Sequence, residues 1–336
     1  MDSAALKKHI RSLARYIIKT QNKDGSIPSS DDNSHDNWDH LESAIALGVA
    51  GYRTEFEKAI EWCINNQNND GSWYESYVSD QPIKFNKQSN HAAYFSTAIA
   101  FHYLLYKDLD YVHSTWPTIK QSQAFVQSLC GESGAIIWNI DEDGNKAKDF
   151  LLTGNSSIVK SVECAIFIGN LLDDDIAVSN FIEIKNSIAL ALKNPRNNFD
   201  LQKNRSRFSM DSYYPILSNI LSDQEEDLYI RKTFKEFYIK DLGIKCVKEE
   251  PWITVAETCE FVICLVKTGR TKEAKKLLAE AMQHVDQDNI PFMGWQYKEN
   301  IFWPDEKPSW TSAAMILALD ATYKFSSASK VFLTSL

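Results

Sequence analysis

The sequence has no apolar run approaching the roughly 20 residues that a membrane-spanning helix needs. Residues 1–21 instead read as an amphipathic helix, without the continuous apolar stretch and cleavage site of a signal peptide. From these two absences we expect a cytoplasmic protein with no membrane span.

Excess positive charge and paired cysteines are also missing. The chain carries 36 Lys and Arg residues against 45 Asp and Glu, a net charge of −9, so we expect no nucleic-acid partner. None of the six cysteines forms a CxxC pair, and no set of three candidate ligands converges. We therefore expect no metal and no cofactor. A hydrophobic fraction of 44% predicts a large buried core.

Helical periodicity dominates the sequence, and two kinds of helix alternate along it. Amphipathic segments with one charged side are expected to form an outer layer: 4–20, 54–66, 116–129, 176–192, 224–240 and 271–285. Segments that are apolar nearly all round are expected to form an inner layer: 38–50, 90–105, 156–172, 210–221, 252–266 and 310–323. This alternation predicts an all-α (α/α)6 toroid, formed by residues 1–336 as a single domain.

Link lengths indicate which end of this ring carries function. Links from an inner helix to the next outer helix are short, whereas links from an outer to an inner helix are long. Long loops on a rigid scaffold commonly carry binding residues, and helix N-termini attract anions and hydroxyl groups. We therefore expect the site at the rim where the inner helices begin.

A repeated turn follows the outer helices. Residues 21–27 read QNKDGSI, residues 67–73 read QNNDGSW, and residues 125–138 contain a degraded copy. Gly suits a left-handed turn after a helix, and the Gln amide is able to bond the exposed backbone there. We interpret the motif as a structural clamp.

These turns resemble the QW motif of squalene–hopene cyclases and protein prenyltransferases. They also resemble the Q-x-x-DG turns of the six-hairpin glycosidases, such as the glucoamylase family. Residues 116–168 are similar to the central hairpins of that superfamily. Residues 36–42 and 251–260 resemble segments of an uncharacterised bacterial toroid family that is often named prenyltransferase. The resemblance implies a toroid, and the glucoamylase-like part of it implies glycoside-hydrolase-like chemistry.

Helical phase selects the candidate catalytic carboxyl groups. Asp39 lies on a polar stripe that should face the lumen, and the same phase argument places Asp211 and Glu257 there. Glycoside hydrolysis needs one carboxylic acid and one carboxylate. Aromatic and polar residues nearby are the expected substrate-binding set: Asp36, Trp38, His40, Glu42, Asn90, His91, Tyr94, Lys160, Glu163, Tyr213, Tyr214, Trp252, Thr254, Trp303 and Trp310.

The function predicted from these residues is a carbohydrate-processing enzyme of glycoside-hydrolase-like type. Its partner would be a small-molecule substrate, a sugar or glycoconjugate bound in the central funnel. An isoprenoid cyclase or prenyltransferase-like enzyme is the alternative, although the D-x-D-D acid motif of the cyclases is absent. A non-catalytic sugar-binding partner of a biosynthetic enzyme is a further alternative.

Overall fold

The computed structural model describes residues 2–29 and 31–336. The outer layer consists of α1 (Ser3–Thr20), α3 (Arg53–Asn65), α6 (Leu109–Ser128), α8 (Asp175–Leu192), α11 (Asp223–Glu236) and α13 (Thr271–Ala281). The inner layer consists of α2 (Asn37–Val49), α4 (Ser89–Ala93) with α5 (Phe95–Tyr106), α7 (Leu152–Leu171), α10 (Met210–Tyr213) with the 3-10 helix Tyr214–Ser218, α12 (Val255–Lys267) and α14 (Ser309–Tyr323). Two short helices, α9 (Pro195–Asn198) and α15 (Lys330–Leu333), complete the set.

The inner helices form a closed ring. Helix α2 packs on α5, α5 on α7, α7 on the 3-10 helix, that helix on α12, α12 on α14, and α14 back on α2. At the closing contact Ser43 Oγ donates to Ser309 Oγ at 3.2 Å, and Ser309 Oγ donates to the Pro28 carbonyl at 2.7 Å. The predicted (α/α)6 toroid is confirmed. No helix within residues 2–29 and 31–336 combines the length and the apolar character that crossing a membrane requires.

Local sequence explains the two layers. In α1 the buried residues Leu6, Ile10, Leu13 and Ile17 recur at three- and four-residue spacing, so one face packs inward and the other meets solvent. In α14 nearly every residue is buried, because outer helices cover it on one side and inner helices flank it. Several helices begin at a capping side chain, as where Ser222 and Glu225 form a reciprocal capping box at α11.

Several helix boundaries differ from the prediction, and three of them have a visible local cause. The third outer helix starts at Leu109 rather than at 116, because Pro117 lies inside the helix and does not begin it. The fourth inner helix is short and turns into a 3-10 helix at Tyr214, beside Pro215, which has no backbone N–H to continue an α-helix. The fifth begins at Val255 because the preceding residues Trp252–Thr254 form a strand.

The long links at the rim hold short antiparallel strands that the helical pattern did not predict. They are β1 (Ser34–His35), β2 (Ser76–Val78), β3 (Gln81–Lys84), β4 (Lys87–Gln88), β5 (Asn139–Ile140), β6 (Tyr238–Ile239), β7 (Gly243–Ile244), β8 (Trp252–Thr254), β9 (Gly294–Gln296) and β10 (Ile301–Phe302). They pair in the orders β1-β2-β3, β10-β9-β8, β4-β5 and β6-β7. In β8–β9 the residue opposite Ile253 is Trp295, which fixes the register.

The repeated Gln-Asp-Gly turns clamp one outer helix to the next. Gln67 Nε2 donates to the Gly71 carbonyl at 3.1 Å and to the Thr118 carbonyl of α6 at 3.0 Å. Gln21 makes the equivalent pair of bonds, to Gly25 and to Glu55 of α3. The turn ends on Trp73, which is fully buried and donates from its indole to the Cys63 carbonyl. These contacts assign the motif to packing between repeats.

A further turn of this kind follows α13 and was missed in the sequence. The Asp286 amide donates to the Ile290 carbonyl at 2.9 Å, as the Asn68 amide does to Ser72. Asn289 takes the left-handed conformation, with φ of 62°, where the other turns have glycine. Because Asn289 stands in place of the Gly and Val285 in place of the Gln, the Q-x-x-DG pattern does not reveal it.

Replacing Gly71 by Ala tests the clamp. Gly71 has φ of +88°, and an added Cβ would lie 2.1 Å from the Gln121 carbonyl oxygen, so we expect about 2–4 kcal/mol of lost stability. Gly144 is the matched control, since it occupies a similar turn with φ of +85° and has no atom within 4 Å of an added Cβ. Gly144→Ala should cost only about 1 kcal/mol, from backbone conformation alone. If urea unfolding shows equal losses of stability in the two variants, the close approach of Gly71 to α6 does not contribute to stability.

Candidate functional site

The first inner helix brings aromatic and acidic side chains to the lumen. Asp36 caps α2 by accepting the Asp39 amide at 2.8 Å. The Trp38 ring stacks on Tyr94, with centroids 4.6 Å apart and planes at 9°. Tyr94 Oη donates to Glu42 Oε1 at 3.2 Å, which ties α2 to the second inner helix. One turn of α2 thus presents an indole face beside two carboxyl groups.

The fourth and fifth inner helices supply the facing side. The Tyr213 hydroxyl donates to Glu260 on α12, and Tyr214 lies 6.0 Å from Trp38 between ring centroids. Burial raises the pKa of Tyr214 well above its usual value, and the carboxyl groups of Glu260 and Glu42 raise it further. Tyr214 therefore lies between the carboxyl groups of α2 and those of α12.

Five carboxyl groups meet around this lumen, and we call them the lumen cluster: Asp36, Asp39, Glu42, Glu257 and Glu260. Burial raises the pKa of Asp39 well above its usual range, with further increases from the charges of Asp36, Glu42 and Glu260. Burial likewise raises the pKa of Glu42 to about 7. Burial and the nearby Glu42 and Glu257 carboxylates raise the pKa of Glu260 well above its usual value. Burial and crowding therefore favour the protonated forms of Asp39, Glu42 and Glu260.

Glu257 lies at the start of α12 and is half-buried. Its Oε2 is a buried atom without a hydrogen-bond partner among residues 2–29 and 31–336. The Cys246 thiol lies against this carboxylate, and burial together with the Glu257 charge raises the pKa of that thiol. A buried carboxylate oxygen that lacks a protein partner is able to accept a bond from a ligand or from water.

Several hydroxyl groups near the starts of inner helices share this property. Within the described part of the chain, buried oxygens without a hydrogen-bond partner include those of Thr254, Thr311 and Ser312. Buried polar atoms in proteins are normally paired, and exceptions concentrate where a ligand or ordered water completes the bonding. The rim therefore offers hydroxyl groups as well as carboxyl groups.

Tryptophans flank the rim on the β8–β9–β10 side. Trp252 Nε1 donates to the Trp303 carbonyl at 2.5 Å, and the two rings meet edge-on with centroids 5.3 Å apart. Trp303 is 54% exposed, and Trp310 in the first turn of α14 is half-buried. Because Trp252 and Thr254 lie in β8, they reach the rim from a strand and not from the first helical turn that the sequence suggested.

The structure places Asp211 away from the lumen cluster. Its carboxylate accepts from the Thr153 hydroxyl and from Arg205 Nε at 3.2 Å, in a groove that also contains Tyr229 of the outer helix α11. In the short α10 and the 3-10 helix that follows it, Asp211 bonds to Thr153 and Arg205, whereas Tyr214 lies near Glu42 and Glu260. Asp211 therefore does not join Asp39 and Glu257.

Lys160 and Glu163 also lie outside the rim. They follow the start of α7 by eight and eleven residues, so Lys160 is about 12 Å down the helix. Lys160 Nζ contacts Glu163 Oε1 at 2.8 Å and the Thr334 carbonyl at 3.0 Å, while Glu163 accepts the Leu336 amide. The pair holds the C-terminal segment against the far end of the ring, which leaves it no access to a ligand at the rim.

His40 likewise serves packing and not the rim. Its Nδ1 accepts the Ile27 amide at 3.1 Å, and its Nε2 contacts the Ala59 carbonyl at 3.0 Å. Burial lowers its pKa to about 4, so the ring is neutral and donates from Nε2. His91 stays at the rim, edge-on to Trp38 at 6.3 Å, and Asn90 beside it is half-buried.

Glu260 is the functional candidate that the predicted set omitted. It follows Glu257 by three residues on α12, a spacing that places two side chains on the same helical face. Its bond to Tyr213 and its electrostatic coupling to Glu42 place it in the lumen cluster. The i, i+3 spacing from Glu257 was the signal available in the sequence.

Known proteins resemble this chain in sequence and in fold. No family model matches the chain. It is 32% identical over 328 residues to an MMP endo-(1,4)-3-O-methyl-alpha-D-mannosidase of Mycolicibacterium hassiacum, covering 96% of this chain and 88% of that protein.

Solved structures share the fold at low identity. A wild-type glycosidase superposes with a TM-score of 0.77 at 11% identity, covering 96% of this chain and 99% of that one. A D-mannose isomerase gives 0.74 at 11% identity, with coverage of 96% and 98%. An alpha-amylase from Clostridium perfringens gives 0.64 at 12% identity, with coverage of 94% and 98%. At such identities these likenesses establish the toroid alone.

The sequence similarity to the mannosidase covers nearly the whole chain, and its level of identity is high enough to assign the chain to a family. It confirms the prediction of a carbohydrate-processing enzyme of glycoside-hydrolase-like type, and the relatives described above give the isoprenoid alternative no support. The chain belongs to the family of the MMP endo-(1,4)-3-O-methyl-alpha-D-mannosidase.

Proposed function

We propose that this protein hydrolyses α-(1,4) bonds inside a chain of 3-O-methylated mannose units, with the chain bound across the rim of the toroid. The name of the related mannosidase supports the linkage and the sugar. The observation that carries the proposal is the lumen cluster, in which carboxyl groups of α2 and α12 face one lumen beside Trp38.

The chemistry assigns different roles to two carboxyl groups. Asp39 holds a proton because burial and neighbouring carboxylates raise its pKa, so it is the acid that protonates the glycosidic oxygen. Glu257, with one oxygen lacking a partner among the described residues, supplies the second carboxylate that hydrolysis requires. The reaction needs only these side chains and water.

The remaining residues bind the sugar. The carboxyl groups of Glu42 and Glu260 lie among tyrosine hydroxyls and offer hydrogen bonds to sugar hydroxyl groups. The faces of Trp38 and Trp303 suit the apolar faces of sugar rings. An O-methyl group removes a hydroxyl donor from the sugar and adds apolar surface. The indole rings at the rim accommodate this surface without leaving a buried polar group unpaired.

Substrate choice tests the proposal directly. We expect α-(1,4)-linked 3-O-methylmannose oligosaccharides to be cut internally into shorter oligosaccharides, detected by mass spectrometry of the products. Unmethylated α-(1,4)-linked mannose and glucose chains of the same length serve as controls and should react more slowly, because they lack the methyl contacts. Hydrolysis of the glucose chains alone, or of none of the three, would refute the assignment.

Replacing Glu257 by Gln tests the catalytic pair. The variant keeps the shape of the side chain but removes the carboxylate, so we expect kcat to fall by at least about 100-fold. Glu250→Gln is the matched control, since Glu250 is exposed on the loop before β8, and its kcat should match the wild type. Circular dichroism should show both variants folded, and calorimetry should show that the Glu257→Gln variant still binds oligosaccharide. Near-normal kcat in that variant would remove Glu257 from the reaction.

Glu42 should make stability depend on pH. Its pKa is about 7 in the folded protein and 4.5 when unfolded, so the folded state binds more protons between these values. The free energy of unfolding should therefore fall as pH rises from 4.5 to about 7. In Glu42→Gln this fall should be smaller by on the order of 2–3 kcal/mol. Glu132→Gln, at an exposed loop position, should keep the wild-type slope in urea unfolding across that range. An unchanged slope in Glu42→Gln would show that Glu42 is ionised in the native protein.

A further inference from the structure

We infer that the groove beside Asp211 is a second binding site, which takes a ligand bearing a carboxylate or phosphate group. The groove has a volume of about 360 Å³ and lies between the start of α7, the α9 segment and the outer helix α11. Four of its lining residues are cationic: Arg196, Lys203, Arg205 and Lys232. The inference does not depend on the proposed hydrolysis, because binding here is measurable without turnover.

The positive charge of this groove is mostly uncompensated. Over residues 2–29 and 31–336, Arg205 is the one groove cation in an ion pair, with Asp211. Arg196 and Lys232 make no ion pair within that part of the chain, and Lys203 lies over the Trp138 ring at 3.5 Å. A concentration of free cations is unexpected on a protein whose net charge is −9, since the surrounding charge is negative.

The two acidic residues of the groove do not cancel this charge. Asp211 is held by Arg205 and by the Thr153 hydroxyl, so one cation is offset. Burial and the charge of Asp211 raise the pKa of Asp200 to about 7, which leaves this carboxyl partly protonated at neutral pH. The groove therefore retains a net charge of at least about +2 from its own side chains.

Apolar walls indicate that the ligand is larger than a bare ion. Phe199 is buried in the wall, and Leu152 and Tyr229 line the groove with it. Arg guanidinium groups and Lys ammonium groups bind oxyanions by charge-assisted hydrogen bonds. The combination fits a small organic acid or a phosphorylated sugar whose carbon skeleton lies on the apolar wall.

The position of the groove links it to the rim. Leu152 and Asp211 lie at the starts of the third and fourth inner helices. On the same helices Ser157 and Tyr214 face the lumen, where burial and the Glu260 charge raise the pKa of Tyr214. The acidic end group of a bound sugar chain and a phosphorylated sugar are both suitable occupants, since they share the oxyanion.

Calorimetric titration of the full chain with inorganic phosphate and with D-glycerate tests the site. We expect at least one probe to bind, and Arg196→Gln/Lys232→Gln to weaken that binding by at least about tenfold through lost charge-assisted bonds. Lys235→Gln/Lys272→Gln removes the same charge from exposed positions outside the groove and should bind as the wild type does. Methyl NMR should show Leu152 and Leu228 signals shifting with the probe.

The two probes separate the two sources of the oxyanion. Stronger binding of glycerate supports an acidic end of a sugar chain, and stronger binding of phosphate supports a phosphorylated sugar. Absence of binding for both probes overturns the inference. An equal loss of affinity in the two double variants also overturns it, because the effect would then come from overall charge and not from the groove.

Discussion

The packing of α14 against α2 joins residues at opposite ends of the chain. Ser43 and Ser309 meet there, and the same serine of α14 bonds back to the Pro28 carbonyl. Because α14 also packs on α12, closure brings α2 and α12 around one lumen. Asp39 and Glu260 then act on each other electrostatically although more than 200 residues separate them. Without closure the carboxyl groups of these helices would remain on separate surfaces.

The lumen cluster is costly for the fold, and its neighbours reduce that cost. Five carboxyl groups in a partly buried space repel one another when ionised, and each loses hydration. Protons on Asp39 and Glu42, and the hydroxyl bonds from Tyr94 and Tyr213, lower this cost. An environment that stabilises a neutral carboxylic acid near neutral pH also provides the acid that glycoside hydrolysis uses.

The rigid outer layer explains why such a cluster is tolerated. The Gln21 and Gln67 amides each bridge two outer helices, and glycines in the same turns allow the backbones to approach closely. The far end of the ring is closed by the Lys160–Glu163 pair and the C-terminal segment. The unfavourable crowding of carboxyl groups is thereby confined to the rim. The strand-containing links and the exposed Trp303 remain accessible there.

The sequence by itself determined the layers of the toroid and most of the lumen cluster. Helical period depends only on which residues are apolar, so it predicted twelve segments and the inward stripe of Asp39 and Glu42. It could not determine the roles of Asp211 and His40, because these depend on partners elsewhere in the chain: the Thr153 hydroxyl of α7 for Asp211, and the Ile27 amide and Ala59 carbonyl for His40. The sequence pattern also did not predict the strand that carries Trp252, because its pairing partner β9 lies about 40 residues further along the chain. Tertiary contacts decided these positions because hydrogen bonds and charges act between neighbours in space, whereas periodicity records only neighbours in sequence.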